Sequence, residues 1–158
     1  MTYDYEIYTD GSYLRRDKTC GYAAVIKCNI PDKEGIMSER VIYGKVTDKE
    51  LVDMWNVGGE IKAVEVALKY CAENSFNNII IYHDYNGLGF WVNGKWKTNK
   101  PATASYKALV NQYKSSGMNV SFQWVKGHSN IPGNMLADQY ANYGRKVPDN
   151  TMLTVKLK

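Results

Sequence analysis

An unbroken apolar run at residues 79–82 constrains the fold of this chain more than any other feature. The run, Ile79 to Tyr82, shows no alternation of polar and apolar side chains, which is typical of a strand buried on both faces of a sheet. The preceding segment repeats its apolar side chains with the period of a helix that has one buried face, at Ala63, Val64, Ala67, Leu68 and Cys71. A helix that leads into a doubly buried strand predicts an α/β fold.

Three strands are predicted before that helix. Residues 3–9 alternate polar and apolar side chains and end at the turn-forming run Asp10-Gly11-Ser12. Residues 21–28 and 40–46 are rich in β-favouring side chains, and the segment between them contains proline and glycine. After the apolar run, the patterns predict a short helix, a longer helix, a strand and a last helix, at residues 86–91, 102–116, 120–125 and 132–144.

Strands first and then alternating helices and strands predict a five-stranded mixed sheet flanked by helices. Strands 1–3 are expected to be antiparallel and the later strands parallel. We expect one domain over residues 1–147, because 158 residues with 44% hydrophobic content can bury one core. Residues 148–158 are expected to be a C-terminal tail.

Composition narrows the class of protein without fixing it. The three cysteines Cys20, Cys28 and Cys71 are an odd number without paired metal-ligand spacing, which favours free thiols in a reducing cytoplasm over a disulfide framework or a zinc site. No apolar run approaches the length of a membrane helix. The net charge of +4 suits a polyanionic partner, but so small an excess also suits an ordinary soluble protein.

Four acidic residues are candidates for one shared site. Asp10 and Asp84 each follow a predicted strand, and the strand ends of such sheets are where ligands bind. Glu60 is in phase with the apolar stripe of its helix, where a carboxylate is costly to bury unless it is paired or metal-bound. Asp138 lies inside the last helix, one turn beyond Asn134.

Each acid taken alone also has an ordinary interpretation. Asp10 could open a turn, Glu60 could sit solvated at the rim of its stripe, and Asp84 could cap the following helix. Asp138 could be an ordinary surface residue.

Together, however, the motifs resemble the ribonuclease H family. They are YTDGS at residues 8–12, GE at 59–60, YHD at 82–84, and VKGHS at 125–129 followed by AD at 137–138. The likeness runs from about Tyr5 to Tyr143. The segments GGEIKAVE, from residue 58, and HDYNG, from residue 83, look most like the viroplasmin-associated bacterial branch. Because the first strand begins at Tyr3, we expect this chain to lack the hybrid-binding domain of that branch.

The resemblance implies an endoribonuclease that cuts the RNA strand of RNA–DNA hybrids. Asp10, Glu60, Asp84 and Asp138 would bind two Mg²⁺ ions, with Mn²⁺ as a substitute, since hard cations prefer oxygen ligands. One ion would activate the attacking water and the other would stabilise the departing 3′ oxygen, leaving 5′-phosphate and 3′-hydroxyl ends. His128 matches the histidine of the family that is thought to assist proton transfer or product release, although a loop histidine is usually just solvated. The partner would be a hybrid duplex, without a membrane or protein partner, and a monomer is expected.

Substrate contacts are predicted in two places. By the resemblance, Gly11, Ser12, Gly59 and Glu60 match the positions that read the 2′-hydroxyl groups of RNA. The basic aromatic segment could contact the DNA strand, through Trp91, Lys95, Trp96, Lys97 and Lys100. The same segment could equally be a solvated loop whose tryptophan covers the core. His83 is expected to pack at the strand end against the helix layer.

Two segments depart from the family pattern. The glycine-asparagine-proline loop after DGS is replaced by YLRR, and the segment before Glu60 reads NVGG. Some contacts to the hybrid are therefore expected to differ, and the basic protrusion of many bacterial members is shortened to one loop. Rival interpretations are a strand-transfer nuclease of the same fold, a catalytically idle nucleic-acid-binding module, and a sugar- or nucleotide-binding domain. The VKGHS motif and the four retained acids oppose the first two, and the lack of a Gly-rich phosphate loop opposes the third.

Overall fold

The computed structural model of the chain describes residues 3–31, 33–35, 39–74, 77–127 and 130–155. Along the chain, its helices and strands are β1 (Tyr5–Leu14), β2 (Thr19–Cys28), β3 (Glu39–Lys45), α1 (Lys49–Val52), α2 (Asn56–Glu73), β4 (Asn78–His83), α3 (Gly87–Asn93), α4 (Pro101–Ser115), β5 (Asn119–Trp124), α5 (Pro132–Gly144) and β6 (Thr151–Val155).

These strands form one mixed sheet in the order β5-β4-β1-β2-β3-β6. Strands β1, β2 and β3 pair antiparallel, whereas β4 runs parallel to β1 and β5 runs parallel to β4. The predicted α/β class, the antiparallel first three strands and the parallel later ones are confirmed. The sheet has six strands rather than the five predicted, because β6 pairs antiparallel with β3 inside the segment that was expected to be a tail.

Helices cover both faces of the sheet. On one face, the apolar stripe of α2 packs with α4 against the odd-numbered side chains of β1, including Tyr5 and Ile7, and this is the main core. On the other face, α5 packs Ala137 against Val25 and Val41. Because side chains alternate along a strand, Asp10 belongs to the α5 side of β1 and Gly11 to the α2 side.

Two further observations concern the helices and the cysteines. None of the described helices is both long enough and apolar enough to cross a bilayer. All three cysteine side chains are buried, and none of them forms a disulfide.

Candidate active site

Three of the four predicted acids meet at one edge of the sheet. Asp10 lies in the middle of β1 and not in a turn after it, because β1 continues past the predicted end at Thr9 and pairs with β2 as far as Leu14. Asp10 stands two residues beyond Tyr8, where the parallel pairing of β1 with β4 ends, and Asp84 follows β4, so the two carboxylates share that edge. Glu60 arrives from the first turns of α2. Asp10, Glu60 and Asp84 each offer a carboxylate oxygen, and the three oxygens lie within 4.8 Å of one another.

Glycines allow α2 to come close enough to deliver Glu60. A Cβ on Gly11 would collide with the carbonyl oxygen of Asn56, and a Cβ on Gly59 would collide with the carbonyl oxygen of Gly21. The start of α2 therefore rests directly on the backbones of β1 and β2, which only residues without a side chain permit. This close approach places Glu60 beside Asp10.

Burial makes two of these carboxylates, Asp10 and Glu60, hard to ionise. Asp10 is 6% exposed and Glu60 is 2% exposed. Burial raises the pKa of Asp10 to about 7, with a further contribution from the charges of Asp84 and Asp138, against the opposing effect of hydrogen bonds. Burial also raises the pKa of Glu60 well above its ordinary value, and the neighbouring charges of Asp10 and Asp84 act in the same direction.

Hydrogen bonds satisfy only part of this cluster. The Gly11 N–H donates to Asp10 Oδ1 at 2.9 Å and to Glu60 Oε1 at 3.3 Å. Glu60 Oε2 is fully buried, and no donor in the described part of the chain reaches it. A buried carboxylate oxygen without a donor, beside two more carboxylates, suits a hard divalent cation. The cluster is thus a possible acidic metal-binding triad.

A cavity of about 510 Å³ opens over the triad. Asp138 lines it from α5, together with Asn134 and Met135 of the same helix. The structure thus brings Asp138 to the same cavity, but not into the cluster of three carboxylates within 4.8 Å.

Comparison with known proteins agrees with this geometry. A family model described as RNase H matches residues 2–146. A ribonuclease H of Francisella tularensis subsp. novicida is 32% identical over 146 residues, covering 85% of this chain and 86% of the relative. The chain belongs to the ribonuclease H family. It is accordingly an enzyme of that family, whose members generally use divalent metals.

Solved ribonuclease H structures share the fold. LC9-RNase H1, described as a type 1 RNase H with the type 2 active-site motif, has a TM-score of 0.73 at 17% identity and covers 98% of this chain and 79% of its own. LC11-RNase H1, solved in complex with an RNA/DNA hybrid, has a TM-score of 0.65 at 19% identity and covers 89% and 95%. At these identities the likeness concerns the ribonuclease H fold alone.

Of the two histidines considered in the sequence, only His83 belongs to the described residues. His128 lies outside the described residues, but Gly127 before it adjoins the triad, since a Cβ there would lie 3.4 Å from Asp84 Oδ2. His83 is buried at the end of β4 and packs edge-on against Phe122, with Gly89 of α3 near its ring. Burial lowers the pKa of His83. His83 is thus a packing residue at the strand end, as predicted.

The positions predicted to read the RNA strand do not all face the cavity. Gly11 lines it. Ser12 Oγ donates a hydrogen bond to Asn142 of α5, and Gly59 is buried between Gly11 and Gly21.

The basic aromatic segment has a buried part and an exposed part. Trp91 is buried against Tyr85 and Tyr106, whereas Trp96 is 39% exposed. Lys95 lies over the ring of Phe90, at 4.4 Å from its centroid. Lys97 and Lys100 line a second cavity of about 470 Å³ beside the first.

Sequence reasoning missed several residues that line the acidic cavity. These are Asn56, Tyr85, Asn130, Asn134 and Met135. Asn134 is 4% exposed, and its Oδ1 has no hydrogen-bond partner among the described residues. The sequence could have indicated that Asn134 lies beside Asp138, because residues four apart share a helix face.

Proposed function

We propose that this chain is an endoribonuclease that hydrolyses the RNA strand of RNA–DNA hybrids and leaves 5′-phosphate and 3′-hydroxyl ends. The observation that carries the proposal is the buried carboxylate triad with an unpartnered Glu60 oxygen, in a chain of the ribonuclease H family. The structure of LC11-RNase H1 with an RNA/DNA hybrid supports a hybrid duplex as the substrate.

The proposed cofactor is a pair of Mg²⁺ ions, with Mn²⁺ as a substitute. Asp10, Glu60 and Asp84 would hold them, with Asp138 from the opposite wall of the cavity. When bound, such ions supply positive charge that promotes ionisation of a water molecule and stabilises the departing oxygen.

The chain's own residues have three proposed tasks. The Gly11 N–H, which already holds Asp10 and Glu60, fixes the orientation of both carboxylates. The cavity that Asp84 and Asp138 both line would accept the scissile phosphate. His128, in the loop that passes Asp84 at Gly127, would exchange a proton with water or with the leaving group.

Several wider features belong to the same proposal. The ribonuclease H domain would span residues 1–147, and residues 148–158 would follow it as a C-terminal segment. The enzyme would act as a monomer in the cytoplasm, a reducing compartment that suits three buried cysteines without a disulfide. Within the family, it would belong to the viroplasmin-associated branch.

The test is cleavage of an RNA–DNA hybrid labelled on either strand, with RNA and DNA duplexes of the same sequence as comparisons. We expect cleavage of the RNA strand of the hybrid alone, dependent on Mg²⁺ or Mn²⁺, with product ends that a ligase accepts after annealing to a splint. Equal cutting of duplex DNA would indicate a strand-transfer type of nuclease instead, and an intact hybrid with metal present would refute the proposal.

Variants on one helix give a matched control. Glu60→Gln keeps the shape of the side chain but removes the charge from the triad, and we expect it to abolish cleavage. Glu73→Gln makes the same change at the exposed end of α2 and is expected to leave cleavage unchanged.

A further inference from the structure

Trp55 combines a strained backbone with an exposed aromatic side chain. Its φ of 60° and ψ of −133° fall in a region that glycine favours and that bulky residues rarely adopt. The backbone is held there by its neighbours, since the Trp55 N–H donates to the carbonyl oxygen of Val52 at 3.0 Å and Cys20 Sγ donates to the Trp55 carbonyl oxygen at 3.2 Å. Half of the Trp55 side chain is nevertheless exposed, so burial does not explain a tryptophan at this position.

The ring of Trp55 is part of a small surface cluster. The ring of Tyr13, from β1, stacks on it with centroids 5.8 Å apart and an interplanar angle of 17°. The guanidinium of Arg15, from the turn after β1, lies 5.5 Å from the centre of the Trp55 ring. We name Tyr13, Arg15 and Trp55 the Trp55 ledge.

The charge of Arg15 is held in place but not neutralised. Contact with an aromatic face orients a guanidinium without cancelling its charge. No acidic side chain in the described part of the chain forms an ion pair with Arg15. The neighbouring turn residues Arg16 and Lys18 are exposed cations, and the exposed Asp17 between them accepts hydrogen bonds from Thr19, so the turn carries net positive charge.

The Trp55 ledge stands between two cavities. Trp55 lines the second cavity, where Lys97 and Lys100 outnumber the one acidic residue, Asp53. The next residue, Asn56, lines the acidic cavity, and Tyr85 lines both. A polyanionic strand that runs from the acidic cavity into the second cavity would cross their shared border, where Tyr85 and Trp55 lie.

We propose that the Trp55 ledge binds the sugar–phosphate backbone of the nucleic acid, with Arg15 pairing with a phosphate and the exposed edge of Trp55 packing against a sugar or base. This inference rests on the proposed function. It concerns the segment YLRR and the residue directly before NVGG, the two segments where the chain departs from the ribonuclease H pattern, and it would supply contacts in place of the shortened basic loop. The combination of aromatic surface and uncompensated cations is that of nucleic-acid-binding sites.

The decisive variant is Trp55→Gly, because structural and binding roles predict opposite results. Glycine adopts the backbone conformation of Trp55 without strain, so we expect the midpoint of urea unfolding to stay the same or rise. Removal of the ring is expected to weaken the binding of a labelled RNA–DNA hybrid about tenfold, measured by fluorescence anisotropy in EDTA. Trp55→Phe should retain most of the affinity.

Arg15→Ala tests the phosphate contact. We expect the slope of log affinity against log salt concentration to fall by about one unit. Tyr143→Ala is the control, because it removes an exposed aromatic ring of α5 that lines neither cavity, and it should change neither affinity nor slope.

The outcomes separate this inference from the proposed function. The inference about the Trp55 ledge alone would be overturned if the unaltered chain cuts the hybrid but the variants behave like it. In that case Trp55→Gly would keep the hybrid affinity, and Arg15→Ala would keep the salt slope. Lower stability of Trp55→Gly without a loss of affinity would show that the residue is structural and would also overturn it. Failure of the unaltered chain to cut or bind the hybrid would overturn the proposed function, whatever the variants do.

Discussion

The position of Glu60 lowers the stability of the metal-free fold. Its carboxylate is almost wholly buried, one oxygen has no donor in the described part of the chain, and Asp10 and Asp84 are its neighbours. Without a cation, such a carboxyl group must either keep a proton that the unfolded chain would release at neutral pH or carry a charge that its neighbours repel, and both cost free energy. Such a residue is destabilising until a cation arrives, which is the behaviour expected of a binding site rather than of a core.

Glu60→Gln is therefore expected to stabilise the metal-free protein. Loss of the charge removes repulsion within the triad, and we expect the free energy of unfolding in EDTA to rise by about 1 to 2 kcal/mol. Urea unfolding of this variant beside Glu73→Gln measures the effect. An equal or lower stability of Glu60→Gln would contradict the interpretation of the triad as destabilising.

The raised pKa of Asp10 predicts how the stability of the metal-free protein changes with pH. Because the pKa is about 7 in the fold and 3.8 ordinarily, the folded state holds the proton more tightly than the unfolded state. The stabilisation from this group is complete below about pH 4 and is lost as the pH rises towards about 7. Asp10→Asn should consequently show a weaker loss of stability with rising pH in EDTA.

His83 acts in the opposite direction in that experiment. Because its pKa is lowered, His83 makes the fold less stable as the pH falls. The contribution of Asp10 is therefore measured as the difference between the stability–pH profiles of the unaltered chain and of Asp10→Asn, and not as the slope of either profile. Identical pH profiles of the melting temperature for the two proteins would disprove the assignment to Asp10.

At the scale of elements, the contact between α2 and the first two strands determines the position of Glu60 beside Asp10. It consists of backbone on backbone at Gly11, Gly21 and Gly59. We expect Gly11→Ala to force α2 away, which would reduce cleavage strongly and lower the stability by about 1 to 3 kcal/mol. Gly89→Ala in α3 is the control, because a Cβ there meets only ordinary contacts; equal effects of the two variants would refute the role of the close approach.

Strand β6 is the second element with a measurable consequence. The Tyr22 hydroxyl donates to Asp149 Oδ1 at 2.7 Å and accepts from the Asn150 N–H at 2.8 Å. Deletion of residues 148–158 removes both partners and uncovers the edge of β3, so we expect a loss of about 1 to 3 kcal/mol in unfolding free energy. Chemical denaturation measures it. Tyr22→Phe in the shortened chain should recover part of the loss, and no recovery would contradict the role of the hydroxyl.

The elements also show how far sequence patterns reach. The end of β4 placed Asp84 correctly, and the helical period placed Glu60 inward, because each depends on local periodicity. The predicted strand end before Asp10 was wrong, since pairing with β2 extends β1 through Asp10-Gly11-Ser12 to Leu14. β6 was not predictable in this way, since its five residues become a strand only by pairing with β3. The Trp55 ledge escaped detection because its members come from β1, the turn after it and the start of α2, and no local pattern links them.

At the scale of the whole molecule, the site draws on both layers around the sheet. Asp10, Glu60 and Asp84 come from β1, α2 and the end of β4, and Asp138 comes from α5 on the opposite face. Because these elements belong to one packed fold, a ligand bound to the acids stabilises the whole chain by mass action.

We thus expect Mg²⁺ to raise the melting temperature in a concentration-dependent way. Scanning calorimetry over a MgCl₂ series, with NaCl at matched ionic strength, measures the rise. Glu60→Gln should show a much smaller rise, because one ligand is lost. An equal rise in both proteins would point to cations bound elsewhere on the surface.

The glycine contact beneath the site has a practical consequence for redesign. Main-chain atoms in contact have no rotamers to exchange, so Asp10 and Glu60 share one rigid platform whose geometry does not depend on surrounding side chains. The segments around this platform can then be exchanged for those of relatives, including YLRR at the end of β1 and the basic aromatic loop. Such exchanges would alter the substrate preference while Asp10 and Glu60 keep their relative positions.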